Sequence, residues 1–423
     1  ADDGGSLALL PPLEPLAGGV RVGEAYPVSW NQSQLLTVHA GGGGAEAAYN
    51  IPLALWLRGP LAVGALRAAL DALVARHAVL RTTFEVDADG GFVQRVRAAG
   101  GGDGGGDGGG GALLREVEVP GAAAAEAVAA AEASLGFELL GAGAAVLRCL
   151  LVRVAGEEAR HLLLLTVHHV AFDGASTALL LRELGALYTS ASGGDSSSSA
   201  AALPSLRVQY VDFAAWQRGS LPAHLGPHRA YWRAALREGA LPPLEMPLDF
   251  ARPARQTFRG GSVAVALPAA VAARLEAAAR AHGCTLFQLV LALWALLLCR
   301  HAGQEEVVVG APYHGRDAPG TEGLIGYFVN VLPLRVAAAR GGTVGALLRA
   351  AREAAVGGVA HAALPFQQLV HEELPRRVHD ASRNAVFQAM LAWEEDGGWG
   401  GGAEGGGGGF GPEVEVEPVS RDA

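Results

Sequence analysis

The sequence has few of the features that mark several common protein classes. It contains only 3 cysteines in 423 residues, and none has a metal-binding spacing, so we expect reduced thiols at Cys149, Cys284 and Cys299. Acidic residues outnumber basic ones by 42 to 32, which gives a net charge of -10. Because nucleic-acid binding needs clustered positive charge, this balance argues against a nucleic-acid partner.

Long apolar runs are also missing from the sequence. No run approaches the roughly 18 residues of a membrane span, and the start at Ala1-Asp2-Asp3 lacks the positive charge of a signal peptide. We therefore expect a cytoplasmic protein without membrane contact. Half of the residues are hydrophobic, which suffices for a substantial core. At about 100 to 200 residues per domain, the length predicts two domains.

Glycine-rich and serine-rich segments interrupt the chain at residues 41–44, 100–111, 196–199 and 405–409. Such segments bury too little apolar surface to offset the entropy lost on ordering, so we expect mobile loops. Glycine-rich loops can also bind phosphate, but these lack the Lys-Ser/Thr pair of a P-loop. The sequence therefore argues against nucleotide binding.

Helical and strand patterns alternate between these segments. Helical spacing is found at 61–77, 268–282 and 286–300, and strand patterns at 79–86, 92–96, 113–119, 146–154, 161–168, 262–266 and 307–310. The runs 146–154 and 161–168 are joined through Gly156-Glu157-Glu158, which predicts a hairpin. The mixture predicts an α+β fold.

The segment that points most clearly to chemistry is His168-His169-Val170-Ala171-Phe172-Asp173-Gly174. It follows an apolar run, so a buried strand delivers two histidines to a tight loop before a helix. An imidazole held at a strand end is a natural proton acceptor or amine-positioning group, although a buried histidine can also be a hydrogen-bonded core residue. Adjacent strand residues point to opposite faces, so we predict that His168 and His169 share no metal ion.

The chain resembles the condensation domain of nonribosomal peptide synthetases along nearly its whole length. The heptapeptide matches the family's HHxxxDG core. Six further segments match in order: 27–32 (PVSWNQ), 76–84 (RHAVLRTTF), 210–216 (YVDFAAW), 325–335 (IGYFVNVLPLR), 365–370 (PFQQLV) and 382–388 (SRNAVFQ). The sequence differs from the family at Gln34, where arginine is usual, and at Ala175, where tryptophan is usual.

The resemblance implies an architecture of two chloramphenicol-acetyltransferase-like lobes that form a V-shaped pseudo-dimer, with the active site in a tunnel between them. We assign residues 1–24 to a linker, 25–200 to the N-terminal lobe and 201–423 to the C-terminal lobe, which looks truncated at its end. The family also implies two crossovers onto the first lobe. Residues 308–316 resemble its floor loop, and a latch is expected after Gly326.

The reaction implied by the resemblance is amide formation in a peptide synthetase or a hybrid polyketide/peptide synthetase. A carrier-bound aminoacyl amine would attack a carrier-bound acyl or peptidyl thioester. The implied partners are upstream and downstream peptidyl carrier domains and an adjacent adenylation domain. No cofactor is expected to bind directly, because the substrates arrive on 4'-phosphopantetheine arms.

Within this reaction we assign His169 to amine positioning and base catalysis, and the backbone N–H of Gly174 to stabilisation of the oxyanion. His168 is assigned to packing behind the site. Asp173 is assigned a structural role, with Arg81 as its first candidate ion-pair partner and Arg316 as its second, because a buried carboxylate needs a cation. Candidate tunnel residues are Ser29, Gln32, Asn330 and Arg383. Core or interlobe roles are assigned to Tyr210, Asp212 and Trp216.

Two alternatives remain open at this point. One is a catalytically impaired domain that docks carriers without forming a bond. The other is a stand-alone coenzyme A-dependent acyltransferase of the same superfamily, whose plant-type branch would show a downstream Asp-Phe-Gly-Trp-Gly that is missing here. A heterocyclisation domain would have paired aspartates in place of the histidine motif, and an epimerisation domain would differ at residues 326–330.

Overall fold

The computed structural model describes residues 10–42, 47–99, 113–141, 143–157, 159–193, 203–377, 380–394 and 414–419. The predicted loops at 100–111, 196–199 and 405–409, and residues 43–44 of the loop at 41–44, lie outside the described residues.

The described chain contains both strands and helices, as the sequence predicts. Up to residue 221 they are β1 (Ala25–Pro27), α1 (Trp30–Ala40), β2 (Asn50–Arg58), α2 (Val63–Arg76), β3 (Thr82–Val86), β4 (Phe92–Val96), β5 (Leu114–Val119), α3 (Ala122–Ala133), β6 (Leu147–Val154), β7 (Arg160–His168), α4 (Gly174–Ala191) and α5 (Tyr210–Gly219). The later elements are α6 (Gly226–Ala235), α7 (Ala269–Ala281), α8 (Leu286–Ala302), β8 (Glu306–Tyr313), β9 (Asn330–Ala337), α9 (Val344–Ala360), α10 (Phe366–Gln368), β10 (Ala389–Met390) and β11 (Glu415–Pro418).

The described residues divide into two compact units. The first unit comprises Pro11–Leu221, Arg316–Phe328 and residues 414–419, and the second comprises Leu10, Pro222–Gly315 and Val329–Glu394. The first unit extends beyond the predicted boundary at residue 200, because it includes helix α5. Val211 of this helix packs in a buried cluster with Tyr26 and Val96. The division also differs from the predicted linker, since residues 11–24 pack in the first unit too and Leu13 is 1% exposed.

The first unit contains two sheets. A five-stranded sheet has the order β11-β2-β7-β6-β5, and a three-stranded sheet has the order β1-β4-β3. Strands β6 and β7 pair antiparallel, which confirms the predicted hairpin. Helix α3 covers one face of the larger sheet, where Ala125 and Ala129 pack with Trp56, Leu150 and Leu162. Because β7 is buried from His161 to His168, its position is fixed by packing along its whole length.

The second unit contains one sheet with the order β10-β8-β9, against which α8 and α9 pack. Gly358 lets α9 approach the sheet closely, because a Cβ there would lie 2.6 Å from Leu334 Cδ2. Helices α7 and α8 confirm the two predicted helices. No single described helix is long and apolar enough to cross a membrane, and α7 and α8 reach that threshold only as a pair bent by 102°.

Two predicted strands differ in the structure. The strand predicted at 79–86 begins only at Thr82, because residues 78–81 form a 3₁₀ turn. The strand predicted at 262–266 is wrong, since this segment has no regular secondary structure and Val263 and Val265 are 89% and 78% exposed. An alternating apolar pattern forms a stable strand only where a partner strand is available, and none of the described strands pairs with this segment.

Apart from the histidines, every basic side chain of the sequence is an arginine. The sequence contains 32 Lys plus Arg residues, and none of them is lysine. The ion pairs therefore all use guanidinium groups or histidine. Buried Glu373, for example, is held between Arg229, at 2.5 Å, and Arg233. The planar guanidinium can offer two parallel N–H donors to one carboxylate, which suits such buried sites.

The three cysteines are free thiols, as predicted. Cys149 and Cys299 are buried, and burial raises the pKa of both thiols, so they stay protonated. Cys284 is half-buried, and its Sγ lies 3.5 Å from the Ala279 carbonyl.

Candidate active site

The histidine motif lies at the end of a buried strand, where the sequence predicts it. Strand β7 ends at His168, a 3₁₀ turn spans His169–Ala171, and α4 begins at Gly174. Backbone hydrogen bonds fix the junction, because the N–H of His168 donates to Val146 at 2.9 Å and that of His169 donates to Tyr49 at 2.9 Å. The predicted order of strand, tight loop and helix is confirmed.

The His169 imidazole is half-buried and has a defined tautomer. Its Nδ1 lies 2.6 Å from the Phe172 carbonyl oxygen. Since a carbonyl only accepts hydrogen bonds, Nδ1 carries the hydrogen and Nε2 keeps a lone pair. Burial lowers the pKa of His169, against the opposing effects of the Phe172 carbonyl and the Asp173 charge. The imidazole is therefore neutral near pH 7 and can accept a proton at Nε2.

His168 has the opposite tautomer and a different environment. It is 1% exposed, and its Nδ1 accepts a hydrogen bond from the Val170 N–H at 3.0 Å. Its ring meets the Phe137 ring edge-on, with centroids 5.8 Å apart. Burial, together with the nearby His169, lowers the pKa of His168 to about 3. These contacts make His168 a packed core residue, and its assigned role behind the site stays a prediction.

Asp173 caps helix α4 and joins several polar groups. It is fully buried, and its Oδ1 accepts hydrogen bonds from the N–H and hydroxyl of Ser176 at 2.9 and 2.7 Å. Its Oδ2 accepts the Phe328 N–H at 3.0 Å. The carboxylate therefore links the start of α4 to residues 316–328 within the first unit.

Of the two candidate partners of Asp173, the structure selects Arg316. Nη2 of Arg316 lies 2.9 Å from Asp173 Oδ1, and Nη1 donates to the Thr321 and Leu324 carbonyls, each at 2.7 Å. Arg81, the first candidate, does not pair with Asp173 but donates to the Arg97 carbonyl. Its position explains this, since Arg81 directly precedes β3, and Arg97 follows β4, the antiparallel neighbour of β3.

Gly174 is exposed and is the first residue of α4. The first N–H groups of a helix have no partner within the helix, and the helix dipole adds partial positive charge there. The Gly174 N–H therefore has the chemistry required of an oxyanion donor, five residues after His169. The unusual Ala175 beside it is also exposed.

Ser29 and Gln32 form the capping box of helix α1. The Ser29 Oγ accepts the Gln32 N–H at 3.0 Å and lies 2.9 Å from the Tyr210 hydroxyl, which donates to the Tyr327 carbonyl at 2.6 Å. The Gln32 amide also donates to the Val170 carbonyl at 3.3 Å. These buried residues connect the opening segment, the histidine loop and residues 325–328 by direct hydrogen bonds.

Asn330 and Arg383 lie in the second unit, where internal contacts occupy their polar groups. The Asn330 Nδ2 donates to the Ala362 and Leu364 carbonyls at 2.8 Å each, and its Oδ1 accepts the Phe366 N–H at 2.8 Å. Arg383 pairs with Asp380 at 2.7 Å and with Glu245 at 2.9 Å. Both side chains brace the second unit.

Two residues at the site were not singled out from the sequence. Ser176 bonds Asp173, and its Oγ also accepts hydrogen bonds from Arg316 at 3.0 Å and from the Gly326 N–H at 3.2 Å. Tyr327 packs against His169, with ring centroids 4.6 Å apart. The signal for Ser176 was its place three residues after a capping aspartate, whereas nothing in the sequence alone places Tyr327 beside His169.

The arrangement combines a neutral imidazole, a helix N-terminus and a buried ion pair that holds the surrounding loops. Such a set can accept a proton from a nucleophile and donate a hydrogen bond to a developing oxyanion. Among the described residues, no three His, Cys, Asp or Glu side chains lie close enough together to hold a metal ion.

Comparison with known proteins identifies the family. A family model described as "Condensation domain" matches residues 22–398. Malpinin synthetase of Mortierella alpina is 36% identical over 375 residues, which are 88% of this chain and 4% of that protein. Phosphinothricin tripeptide synthetase PhsC of Streptomyces viridochromogenes is 38% identical over 348 residues, which are 82% of this chain and 31% of that protein. The chain thus spans less than a third of the length of these two relatives.

Solved structures share the fold. The X-domain from teicoplanin biosynthesis superposes with a TM-score of 0.79 at 27% identity, over 97% of this chain and 84% of that one. The first condensation domain of the CDA synthetase gives 0.64 at 24% identity, over 88% and 80%. The predicted α+β, chloramphenicol-acetyltransferase-like fold is confirmed. On the family match and these relatives, the chain belongs to the condensation-domain family of nonribosomal peptide synthetases.

Proposed function

We propose that this domain forms an amide bond between two carrier-bound substrates. The observation that carries the proposal is the tautomer of His169, whose Nδ1–H is held by the Phe172 carbonyl at 2.6 Å. Because Nε2 keeps its lone pair and burial keeps the ring neutral, the imidazole is ready to receive the hydrogen of an attacking amine.

In the proposed reaction, the acceptor amine attacks the carbonyl carbon of the donor thioester. A C–N bond forms and the C–S bond breaks. The proton lost by the amine passes to Nε2 of His169 and then to the departing thiolate, so a free thiol and a new amide result. The Gly174 N–H is proposed to donate to the carbonyl oxygen while it carries negative charge.

The demands on the protein are moderate because a thioester is already activated. Holding the two reactants together supplies about 7 to 11 kcal/mol, and general-base help adds about 10²- to 10⁴-fold. An α-amino group has a pKa of about 7.7 to 8.0, so part of it is neutral near pH 7.5. His169 is therefore proposed to position the amine as well as to accept its proton.

The proposed partners follow from the same chemistry. Upstream and downstream peptidyl carrier domains would present the two substrates on 4'-phosphopantetheine arms, and an adenylation domain would load the acceptor carrier. The relatives that this chain matches are synthetases, among them a tripeptide synthetase, which supports these proposed partners. On this proposal the domain needs no bound cofactor, because both reacting groups arrive on their carriers.

The test is a reconstitution with two separate carrier proteins, one loaded with an acyl group and one with an amino acid. Mass spectrometry of the carriers should show the acyl-aminoacyl product on the acceptor carrier. His169→Ala should lower the initial rate about 10²- to 10⁴-fold while the melting temperature stays near that of the wild type. His168→Gln is the matched comparison. Because His168 is packed in the core, this variant should lower the melting temperature and affect the rate less than His169→Ala does. Wild-type-like turnover by His169→Ala would remove His169 from the mechanism.

A second candidate function is recruitment of a partner protein without bond formation. The observation that favours it is the 0.79 TM-score with the teicoplanin X-domain, a protein that has been solved in complex with OxyB. The same reconstitution separates the candidates, because a recruiting domain would bind a partner but leave both carriers unchanged. An additional arm with an acyl-coenzyme A donor tests the stand-alone acyltransferase alternative.

A further inference from the structure

The aromatic ring of Tyr327 is a neighbour of the His169 imidazole that the mechanism above leaves without a role. The two ring centroids lie 4.6 Å apart, and the planes are inclined by 58°. Tyr327 is only 8% exposed, so its ring covers part of the imidazole instead of lying in solvent. The imidazole is thus restrained at Nδ1 by the Phe172 carbonyl and on a second side by an aromatic ring.

Hydrogen bonds on both sides of Tyr327 fix its position in the first unit. The preceding Gly326 N–H donates to Ser176 at 3.2 Å, and the following Phe328 N–H donates to Asp173 at 3.0 Å. Asp173 and Ser176 belong to the start of α4, directly after the histidine turn. The same helix start therefore anchors both the backbone that carries Tyr327 and the turn that carries His169.

The carbonyl of Tyr327 is held as well. It accepts the Tyr210 hydroxyl at 2.6 Å, and that hydroxyl lies 2.9 Å from Ser29. The Tyr210 ring can come this close only because residue 326 is glycine, since a Cβ there would lie 2.1 Å from Tyr210 Cδ2. These hydrogen bonds and packing contacts together hold one aromatic side chain in place.

The electrostatic surroundings show what that side chain contributes. Around His169, the Asp173 carboxylate and the Phe172 carbonyl favour the charged imidazolium, while burial opposes it. The neighbouring His168 is neutral at working pH because burial lowers its pKa to about 3. Burial, with Tyr49 and Asp173 nearby, raises the pKa of the Tyr327 phenol, so this ring adds no charge. The effect of Tyr327 on His169 is therefore packing and the exclusion of water.

We propose that Tyr327 is a positioning residue for the condensation reaction: its ring holds the His169 imidazole in the orientation set by the Phe172 carbonyl and shields it from water. The catalytic consequence rests on the proposed function, but the structural consequence does not. A shielded imidazole stays neutral at a lower pH than an exposed one, because water stabilises the charged form.

Nuclear magnetic resonance of ¹⁵N-labelled histidine tests the structural part without any substrate. The His169 signals are assigned with a His169→Gln variant, and their tautomer and pKa are then followed in Tyr327→Ala. We expect the pKa of His169 to rise toward about 6.5, the ordinary histidine value, and the Nδ1–H tautomer to lose its dominance. Tyr327→Phe keeps the ring and should restore the wild-type titration.

Tyr231→Leu is the matched control, because Tyr231 stacks on His361 in the second unit with centroids 4.1 Å apart. It should change the His361 signals and leave those of His169 in place. If Tyr327→Ala does not fold, Tyr327→Leu leaves a smaller cavity and should shift the pKa of His169 in the same direction. An unchanged pKa and tautomer in the folded variant, or an equal change in Tyr327→Phe, would overturn the proposal.

The catalytic part is tested with the two-carrier assay as a function of pH. Tyr327→Ala should lower kcat by about 10- to 100-fold, as expected when a catalytic group is misplaced, and move the acidic limb of the profile to higher pH. Tyr327→Phe should keep the wild-type limb. If the wild-type domain forms no amide while the resonance shift is observed, the proposed function fails and the positioning role stands. If the wild-type domain forms the amide but Tyr327→Ala leaves the His169 resonances unchanged, the proposed function stands and the positioning role fails.

Discussion

Replacement of Asp173 by alanine is expected to cost more stability than replacement of any exposed carboxylate of the domain. Asp173 is fully buried and receives four hydrogen bonds, two from Ser176 and one each from Arg316 and Phe328. The Arg316 side chain is itself only 9% exposed. Removal of one partner of a buried ion pair leaves the other charge without compensation and costs about 3 to 5 kcal/mol. At about 2 to 4 °C per kcal/mol, the melting temperature should fall by roughly 6 to 20 °C.

The chain contains a closely matched control for this experiment. Asp380 accepts the N–H and hydroxyl of Ser382 at 2.9 and 2.6 Å and pairs with Arg383 at 2.7 Å, which repeats the chemistry around Asp173. Its side chain is 27% exposed, so water can replace the lost contacts. Asp380→Ala should therefore shift the melting temperature much less than Asp173→Ala.

Calorimetry on the single variants and on Asp173→Ala/Arg316→Ala completes the test. Because the double variant removes both charges, it should be less destabilised than the sum of the two single variants. Asp173→Asn keeps a capping side chain for α4 and separates the loss of charge from the loss of the cap. If Asp173→Ala melts within about 2 °C of the wild type, the reasoning that gives about 3 to 5 kcal/mol is refuted.

Two further predictions concern stability in acid and the glycine before Tyr327. The pKa of His168 is about 3 in the folded state, against an ordinary value of about 6.5. Between about pH 6.5 and 5, therefore, the unfolded chain binds a proton at this histidine and the folded chain does not. As the pH falls through this range, the free energy of unfolding should decrease by about 2 kcal/mol. Denaturation at several pH values checks this, and an equally steep loss in His168→Gln would contradict it. Gly326→Ala should cost about 1 to 3 kcal/mol, because the new Cβ would lie 2.1 Å from Tyr210 Cδ2. Gly323→Ala, whose Cβ would meet Leu206 at an ordinary 3.5 Å, should be tolerated; equal melting temperatures would argue against the steric explanation.

The sequence predicts most local structure because the decisive signals are local. The hairpin of β6 and β7 follows from two apolar runs and a Gly-containing turn, and the helices α7 and α8 follow from their periodicity. The histidine turn follows from an apolar run that ends in two polar residues and an Asp-Gly pair. In each case the interactions that decide the conformation lie close to the segment in sequence.

The predictions that differ from the structure depend on distant residues. Whether Arg81 or Arg316 pairs with Asp173 depends on which loop lies next to the start of α4 in the fold. Arg316 is 143 residues away from Asp173 in sequence. The pattern at 262–266 has the alternation of a strand, but strand formation depends on a neighbour that no local pattern reveals. The packing of Tyr327 on His169 likewise joins residues that only the tertiary structure brings together.

The exclusive use of arginine has a chemical consequence for the proposed condensation reaction, in which the donor is a thioester. A lysine side chain, with a pKa of about 10.4, is neutral in a small fraction of molecules and then competes as a nucleophile for a thioester, whereas a guanidinium stays protonated and unreactive. Since the sequence contains no lysine, no side-chain amine of this chain can divert the donor into a dead-end amide. Amine-reactive dyes and cross-linkers can accordingly be directed to lysines of the carriers while the side chains of the domain stay unmodified.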